Sequence, residues 1–190
     1  MEHEFETDKW PFVKAKHFTK IANKRGIRLI VIHSMEAPEK GATAENVAKY
    51  FHNTVRQASA HICVDSDSII QCVLDNDVAW AAPGANKDGI HIEMAGFAKQ
   101  TKAEWLDPYS TLVLENAADA AAQYCLKYEI PPVRLSNTQL EDKVSKGIVS
   151  HSQVTEVFKL GDHTDPGKNF PWEYFTDRIQ ANLIKRRLNT

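Results

Sequence analysis

Three side chains of the kinds that bind metals stand where an apolar segment gives way to polar sequence. His33 follows the β-branched run Ile27–Ile32, and His151 follows a second short apolar segment. Asp165 lies in the turn-forming sequence His163-Thr164-Asp165-Pro166-Gly167, where proline restricts the backbone next to the carboxylate. Two imidazoles and one carboxylate, with a fourth position left to water, are the ligand set of a catalytic zinc ion. The sequence therefore suggests an open, hydrolytic zinc site.

A carboxylate that could act as general base lies on a predicted strand. In Ile90-His91-Ile92-Glu93-Met94, alternation places His91 and Glu93 on one face and the apolar side chains on the other. Glu93 could take a proton from an attacking water, and His91 could support the site from behind. The same residues also fit simpler interpretations, because Glu93 could be a solvated carboxylate and Asp165 part of an ordinary turn. No HExxH helix is present, so spacing alone leaves these alternatives open.

The predicted strands would bring these residues to the edge of a sheet. The run Ile27–Ile32 is predicted to be a buried strand that ends at His33. Residues 60–64 and 69–73 flank the turn-forming Asp65-Ser66-Asp67-Ser68 and predict a hairpin. A side chain that projects from the carboxyl end of a strand lines the ligand crevice in many α/β sheets.

Apolar periodicity predicts four helices. They are a helix capped by Thr43 that buries Ala44, Val47, Ala48 and Phe51, a helix over 110–128 that stops at Pro131-Pro132, a weaker helix over 137–143, and a helix that begins near Pro171 and buries Trp172, Phe175, Ile179 and Leu183. Strands and helices together predict one α/β domain, in which helices flank a central mixed β-sheet. Residues 1–26 are expected to form an N-terminal arm and residues 27–180 the core of this single domain over 1–190.

Composition excludes several classes of protein. The chain has 190 residues, 23 Lys and Arg against 25 Asp and Glu, and a net charge of -2 without a block of like charge. This balance argues against non-specific electrostatic binding of nucleic acid or anionic lipid. Three cysteines without CxxC spacing predict reduced thiols, so neither a disulfide framework nor a Cys-rich zinc site is expected. We expect no signal peptide, because the first ten residues are acidic and polar, and no membrane insertion, because no apolar run approaches the ~18 residues of a membrane span.

Short motifs spread over roughly residues 27 to 180 carry a resemblance to a known family. In chain order they are Leu29–Glu36, Ala58–Asp65, Asp77–Trp80 with Ala82–Gly84, Gly89–Glu93, Glu104–Tyr109, Ile148–His151 and Thr164–Gly167. In this order they resemble the zinc-dependent N-acetylmuramoyl-L-alanine amidases, the amidase-2 or peptidoglycan-recognition-protein family. Within that family the chain is most similar to the amidase domains of phage endolysins.

The resemblance implies a role for each matching residue. His33, His151 and Asp165 would be the zinc ligands, and Glu93 would be the acid that activates water against the amide. His163 would stabilise the oxyanion, at a position where many members have a lysine or histidine. The implied substrate is peptidoglycan, cut between the lactyl group of N-acetylmuramic acid and the L-alanine of the stem peptide.

Two further positions would contact the substrate. His61 would line the cleft, where some members have tyrosine, and Trp80 is expected near the cleft, whereas Trp172 is expected in the core. Many members have a histidine after the Ala-Trp pair where this chain has Ala81, a departure that affects glycan or stem-peptide specificity but not metal binding. The remaining histidines, His3, His17 and His52, are assigned to the surface or to packing.

Three hypotheses follow for the function. The first is a monomeric zinc amidase, a phage endolysin that is made in the host cytoplasm and reaches the wall when the membrane is breached. The second is a peptidoglycan-binding module of the same fold without catalysis, although such relatives typically lack a metal ligand. The third is an unrelated α/β domain with a structural metal or none.

Overall fold

The N-terminal arm runs along one edge of the domain in the computed structural model, which describes residues 10–188. The backbone N–H groups of Val13 and Ala15 donate to the carbonyls of Gln71 and Cys72, so the arm adds to the edge of the predicted hairpin. The first nine residues, His3 among them, lie outside the described residues. No helix within 10–188 is long and apolar enough to span a membrane.

The described residues form a mixed sheet with helices on both faces, as the sequence predicts. The strands are Phe18–Thr19 (β1), Leu29–Ser34 (β2), Ile62–Val64 (β3), Ile69–Gln71 (β4), Val78–Ala79 (β5), Gly89–Met94 (β6) and Gly147–Ser150 (β7). The helices are Thr43–Asn53 (α1), Lys102–Trp105 (α2), Pro108–Tyr128 (α3), Asn137–Glu141 (α4), His151–Phe158 (α5) and Trp172–Leu188 (α6). The five-stranded sheet has the order β4-β3-β6-β2-β7, and β1 pairs with β5 separately.

The three strands β6, β2 and β7 run parallel through the middle and one edge of the sheet. All residues of β2 are buried, because both faces of a parallel sheet are covered and its strands are correspondingly apolar. The hairpin of β3 and β4 is antiparallel and joins β6 through a parallel pairing of β3. Parallel pairing brings the carboxyl ends of β6, β2 and β7 to one edge of the sheet.

Helices α3 and α6 cover one face of the sheet. Ile32 of β2 and Ile92 of β6 belong to the largest apolar cluster, together with Leu114 of α3 and Phe175 of α6. The opposite face packs Val31 of β2 against short helices α4 and α5, and α1 covers the hairpin. The buried face predicted for α6 is confirmed at Phe175, Ile179 and Leu183.

Two sequence expectations about these helices are wrong. Trp172 is only partly buried, because it begins α6 at the edge of the core and carries the Arg134 guanidinium 4.0 Å from its ring centroid. Thr43 does not cap α1: the N-cap is Ala42, and the Thr43 hydroxyl donates to the carbonyl of Pro38 at 2.9 Å. The backbone at Ala42 is left-handed, and the side-chain pattern does not predict a cap of this conformation.

The three cysteines are free and buried, as expected for reduced thiols. Cys63 and Cys72 approach each other across the hairpin with a separation of 3.8 Å between their Sγ atoms. Both belong to the apolar cluster under α1, where they pack as small hydrophobic side chains.

Gly167 allows the loop that carries Asp165 to approach a neighbouring loop closely. Its φ of +95° is in the left-handed region, and a Cβ at this position would overlap the carbonyl oxygen of Ala98. Both features require glycine. Gly26 offers a contrast, since nothing lies within 4 Å of a Cβ built there.

We therefore expect Gly167→Ala to lower the free energy of unfolding by about 1–3 kcal/mol, the typical cost of a strained backbone conformation. Gly26→Ala, the matched control, should change it by less than about 1 kcal/mol. Urea denaturation of the two variants and the unaltered chain measures both effects. Equal stability of Gly167→Ala and Gly26→Ala would contradict the packing at Ala98.

Candidate metal centre and cleft

The carboxyl ends of the parallel strands place three polar side chains next to one another. His33 in β2 is the register partner of Glu93 in β6, so both side chains point to the same face of the sheet. Ser150 ends β7 and caps α5 by accepting the N–H of Gln153 at 3.0 Å. This cap turns the chain from strand to helix, and His151 is the first residue of the helix.

Asp165 completes the group from a loop. The N–H of Ser152 donates to the backbone carbonyl of Asp165 at 2.9 Å and ties this loop to the start of α5. The Asp165 carboxylate then lies 3.2 Å from Nδ1 of His33 and 3.1 Å from Nδ1 of His151, and the two Nδ1 atoms are 3.1 Å apart. The structure thus brings together the three residues proposed as ligands.

The three donors fit a tetrahedral metal ion. Zinc binds imidazole nitrogen and carboxylate oxygen at about 2.0–2.1 Å, which places neighbouring tetrahedral ligands about 3.3 Å apart. The two Nδ1 atoms are 3.1 Å apart, and each faces a different Asp165 oxygen, Oδ2 at 3.2 Å from His33 and Oδ1 at 3.1 Å from His151, so each separation is close to this edge length. All three residues are buried, and one donor atom from each lies within 4.8 Å of the other two.

The protonation states also suit metal binding, which needs neutral imidazole and ionised carboxylate. Burial lowers the pKa of His151. For Asp165 burial acts in the opposite direction and would raise the pKa, but hydrogen bonds with His151 and His33 outweigh it and hold that pKa below its usual range.

Glu93 lies beside the ligands and is mostly buried, with 15% of its side-chain surface exposed. Its Oε1 is 3.9 Å from Nδ1 of His33, and its buried Oε2 has no hydrogen-bond partner within residues 10–188. Burial, and after it the charges of Asp165 and Glu36, raise the pKa of Glu93 to about 8. A carboxyl group with such a pKa can both take and return a proton near neutral pH.

His163 forms the outer wall of the centre. Its ring stacks on His151 with centroids 3.9 Å apart, and its Nδ1 is 3.6 Å from Oδ1 of Asp165. About half of its side chain, 51%, is exposed. Burial of the rest, followed by the neighbouring His151, lowers the pKa of His163.

A cleft of about 490 Å³ opens over these residues. Trp80 and Ala81 line one wall, and Tyr50 and Arg56 line another. The Trp80 indole is held by a 2.9 Å hydrogen bond from Nε1 to the Thr19 hydroxyl. Contact of Trp80 with substrate stays a prediction, but its place in the cleft agrees with it.

His61 does not reach the cleft, so the expectation that it lines the cleft is wrong. Its side chain is fully buried, its Nε2 lies 3.1 Å from the Asp77 carbonyl, and its Nδ1 faces the backbone N–H of His91 at 3.1 Å. Burial, and then the nearby Arg25 charge, lower the pKa of His61 and keep the imidazole neutral. It lies just before β3, too close to the strand for alternation to tell which way it points.

The sequence did not single out Glu36, although the structure places it at the mouth of the site. Glu36 has a positive φ of 50°, and its Oε1 accepts the Ser34 hydroxyl at 2.8 Å and the Ala98 N–H at 2.6 Å. Glu36 and His163 line both the metal cleft and an adjoining cavity of about 880 Å³. Only its position after the His33 strand could have indicated it.

Comparison with known families identifies the family of this chain. Residues 23–168 match the profile of the Amidase_2 family, described as N-acetylmuramoyl-L-alanine amidase. The chain belongs to the Amidase_2 family. The family resemblance of the sequence motifs is thereby confirmed. No curated protein sequence matches this amidase-family chain.

Solved structures show the same fold at low sequence identity. The Staphylococcus aureus hydrolase AmiA, solved with its ligand, matches with a TM-score of 0.67 and 19% identity over 94% of this chain and 86% of AmiA. The N-acetylmuramoyl-L-alanine amidase LysC from Clostridium intestinale matches with a TM-score of 0.56 and 18% identity, over 92% and 99% of the two chains. A mutant endolysin from Bacillus subtilis matches with a TM-score of 0.53 and 19% identity, over 90% and 99%. These similarities confirm the single-domain fold with a mixed central sheet.

The raised pKa of Glu93 predicts a pH-dependent stability in the metal-free protein. A carboxyl group with a pKa of about 8 in the folded state stays protonated while the unfolded group, near 4.5, is ionised. Its contribution to stability is therefore complete below pH 4.5 and is lost as pH rises through about 8.

Relative to Glu93→Gln, the unaltered metal-free chain should lose up to about 4 kcal/mol of unfolding free energy across this range, at about 1.4 kcal/mol per pH unit. Urea denaturation at pH 5, 6.5 and 8 with a chelator present measures the difference. A constant difference between the two proteins would show that Glu93 titrates normally.

Proposed function

We propose that this chain is a zinc-dependent N-acetylmuramoyl-L-alanine amidase that cuts the bond between the lactyl group of N-acetylmuramic acid and L-alanine. One observation carries the proposal: Nδ1 of His33 and Nδ1 of His151 lie 3.1 Å apart, each within 3.2 Å of an Asp165 oxygen, with the Glu93 carboxyl beside them. Membership of the amidase family supports the bond and the substrate.

The residues of the site can divide the reaction between them. When bound, a zinc ion supplies a Lewis acid that acidifies water and polarises a carbonyl oxygen. Glu93 takes the proton from the attacking water and passes it to the amine nitrogen of L-alanine as the C–N bond breaks. The products are a lactyl carboxylate and a free amine.

His163 is placed to stabilise the negative oxygen that develops during attack. Its ring is half-exposed, whereas Glu93 is mostly buried, so we place the approaching substrate carbonyl on the side of His163. A neutral imidazole can donate one N–H to this oxygen, and a protonated imidazole donates more strongly. Because the pKa of His163 is lowered, the neutral form prevails at neutral pH.

The cleft walls fit a glycopeptide. The exposed faces of Tyr50 and Trp80 suit a sugar ring or its acetyl group, and the Arg56 guanidinium suits a carboxylate of the stem peptide. Ala81 leaves room on the Trp80 wall that a histidine would fill. We propose that this room sets which glycan or peptide is accepted.

The biological setting is part of the same proposal. Similarity to a solved endolysin supports a role in lysis of a bacterial host by a phage, with synthesis in the host cytoplasm and action of a monomer on the wall. The division into an arm over 1–26 and a catalytic core over 27–180 also stays a proposal. The complete donor set, with a carboxyl group of raised pKa beside it, argues against a non-catalytic binding module.

Digestion of purified peptidoglycan, followed by mass analysis of the fragments, tests the bond that is cut. We expect intact stem peptides with a free N-terminal L-alanine and glycan strands with free lactyl carboxylates. A chelator should abolish release and zinc should restore it, because three protein donors leave a position for the reacting water. Disaccharide products, or wall binding without release, would contradict the proposal.

Two variants separate metal binding from proton transfer. His33→Ala should lose both bound zinc and activity, whereas Glu93→Gln should keep zinc and lose about 10²–10⁴-fold in rate, the usual worth of a general base. His52→Ala is the matched control, since this exposed histidine is not one of the residues of the centre and its Nδ1 lies 2.8 Å from the Lys14 carbonyl. Elemental analysis and turbidity of a wall suspension give the two readouts. Full activity of Glu93→Gln would rule out its assigned role.

A further inference from the structure

His91 lies behind the candidate metal centre and contacts it from the side away from the cleft. Its Nδ1 is 3.1 Å from Nε2 of His33. The other nitrogen of His33, Nδ1, faces His151 and Asp165 at 3.1 and 3.2 Å. Since His91 is fully buried, it cannot touch substrate, and its effect on the site must pass through His33.

The short contact between the two rings requires one proton between them, carried by either His33 or His91. A neutral histidine carries one N–H and one bare nitrogen, and only the bare nitrogen can bind a metal. If Nδ1 of His33 binds the metal, its proton is on Nε2 and needs an acceptor at the position of His91 Nδ1. His91 supplies that acceptor when its own proton is on Nε2. If His91 instead donated from Nδ1, the proton of His33 would lie on Nδ1 and would block the ligand nitrogen.

Hydrogen bonds from the backbone N–H groups of His91 and His61 hold the segment that carries the His91 ring. The backbone N–H of His91 donates to Nδ1 of His61 at 3.1 Å, and the backbone N–H of His61 donates to the carbonyl of His91 at 3.1 Å. The two rings stack, with centroids 5.6 Å apart and planes 13° apart. Because Nδ1 of His61 accepts, its proton is on Nε2 and donates to the Asp77 carbonyl at 3.1 Å.

Arg25 closes this arrangement from behind. Its guanidinium donates to the carbonyls of Asp75 at 2.8 Å and of Lys87 and Gly89 at 3.1 Å. It therefore ties together the segments before and at the start of β6, the strand that carries His91. Nη2 of Arg25 also lies 2.9 Å from Nε2 of His61.

We propose that His91 is a positioning residue for the metal: its Nδ1 accepts the Nε2–H of His33 and so holds His33 as an Nδ1 ligand. The inference rests on the zinc site of the proposed function and adds a residue to it. Outer partners of metal-bound histidines are ordinarily carboxylates, backbone carbonyls or waters. Here a second imidazole, braced by a third, takes that place.

A simple packing role does not account for the imidazole at this position. Nε2 of His91 is buried and has no hydrogen-bond partner within residues 10–188. An apolar side chain would fill the same space without leaving a polar atom unpaired. The hydrogen bond to His33 explains why a polar ring occupies this position despite its unpaired Nε2.

Zinc affinity of folded variants tests the proposal without reference to activity. His91→Leu removes the acceptor and should weaken zinc binding about 10–100-fold, the usual effect of losing an outer partner. His91→Asn keeps an acceptor oxygen where Nδ1 lies and should bind zinc nearly as tightly as the unaltered chain. Ile92→Ala is the matched control, because it removes a buried side chain of the same strand on the opposite face. It should lower stability but keep zinc affinity.

Competition with a chromogenic chelator measures these affinities, and circular dichroism verifies that each variant is folded. Long-range ¹H–¹⁵N spectra of the zinc-loaded chain should show the proton of His33 on Nε2 and that of His91 on Nε2. Unchanged affinity of His91→Leu, or a proton on Nδ1 of His91, would overturn the inference while the zinc site stood. If the unaltered chain bound no zinc, the proposed function itself would fail.

Discussion

The parallel register of β2, β6 and β7 is the constraint on which the candidate site depends. It ends three strands at one edge of the sheet and pairs His33 with Glu93 so that both point to the same face. The Ser150 cap then starts α5 at the same level and delivers His151. Two donors and a carboxyl group are thus fixed by backbone hydrogen bonds of the sheet, and only Asp165 must be brought in by a loop. Burial of the sheet from both faces makes their positions rigid.

The charges of the site depend on this geometry in turn. Two carboxyl groups lie close together in a buried place, and their environments push their pKa values in opposite directions. The neighbouring His151 and His33 hold Asp165 ionised, whereas burial and the charge of Asp165 favour the protonated form of Glu93. This separation gives one carboxylate the properties of a metal ligand and the other those of a proton carrier. The arrangement of the strand ends, rather than the residue types, distinguishes the two acids.

The sequence predicts the parts of the site that follow from periodicity. The buried run before His33 and the alternation around Glu93 correctly assign strand, face and edge. The link to Asp165 depended on the family resemblance, because no periodicity connects a loop to strands earlier in the chain. His61, Thr43 and Trp172 were misplaced for a related reason: each stands at the end of an element, where the pattern does not say which way a side chain points. Periodicity does not identify Glu36, because its position at the site depends on a backbone with positive φ and on its hydrogen bond from the Ala98 N–H.

The division between strands and loops also separates two kinds of requirement. Metal ligands need positions that do not vary: two of the three come from β2 and the junction of β7 with α5, and the loop of Asp165 is tied to the start of α5 by the Ser152 N–H. The groups that would meet the substrate, among them Trp80, Arg56 and His163, stand on connecting segments around the cleft. Loops can change without disturbing a sheet, so the substrate preference of this fold can vary while its chemistry is kept. Ala81 lies on such a connection, next to Trp80, and it lines the cleft without belonging to the donor set.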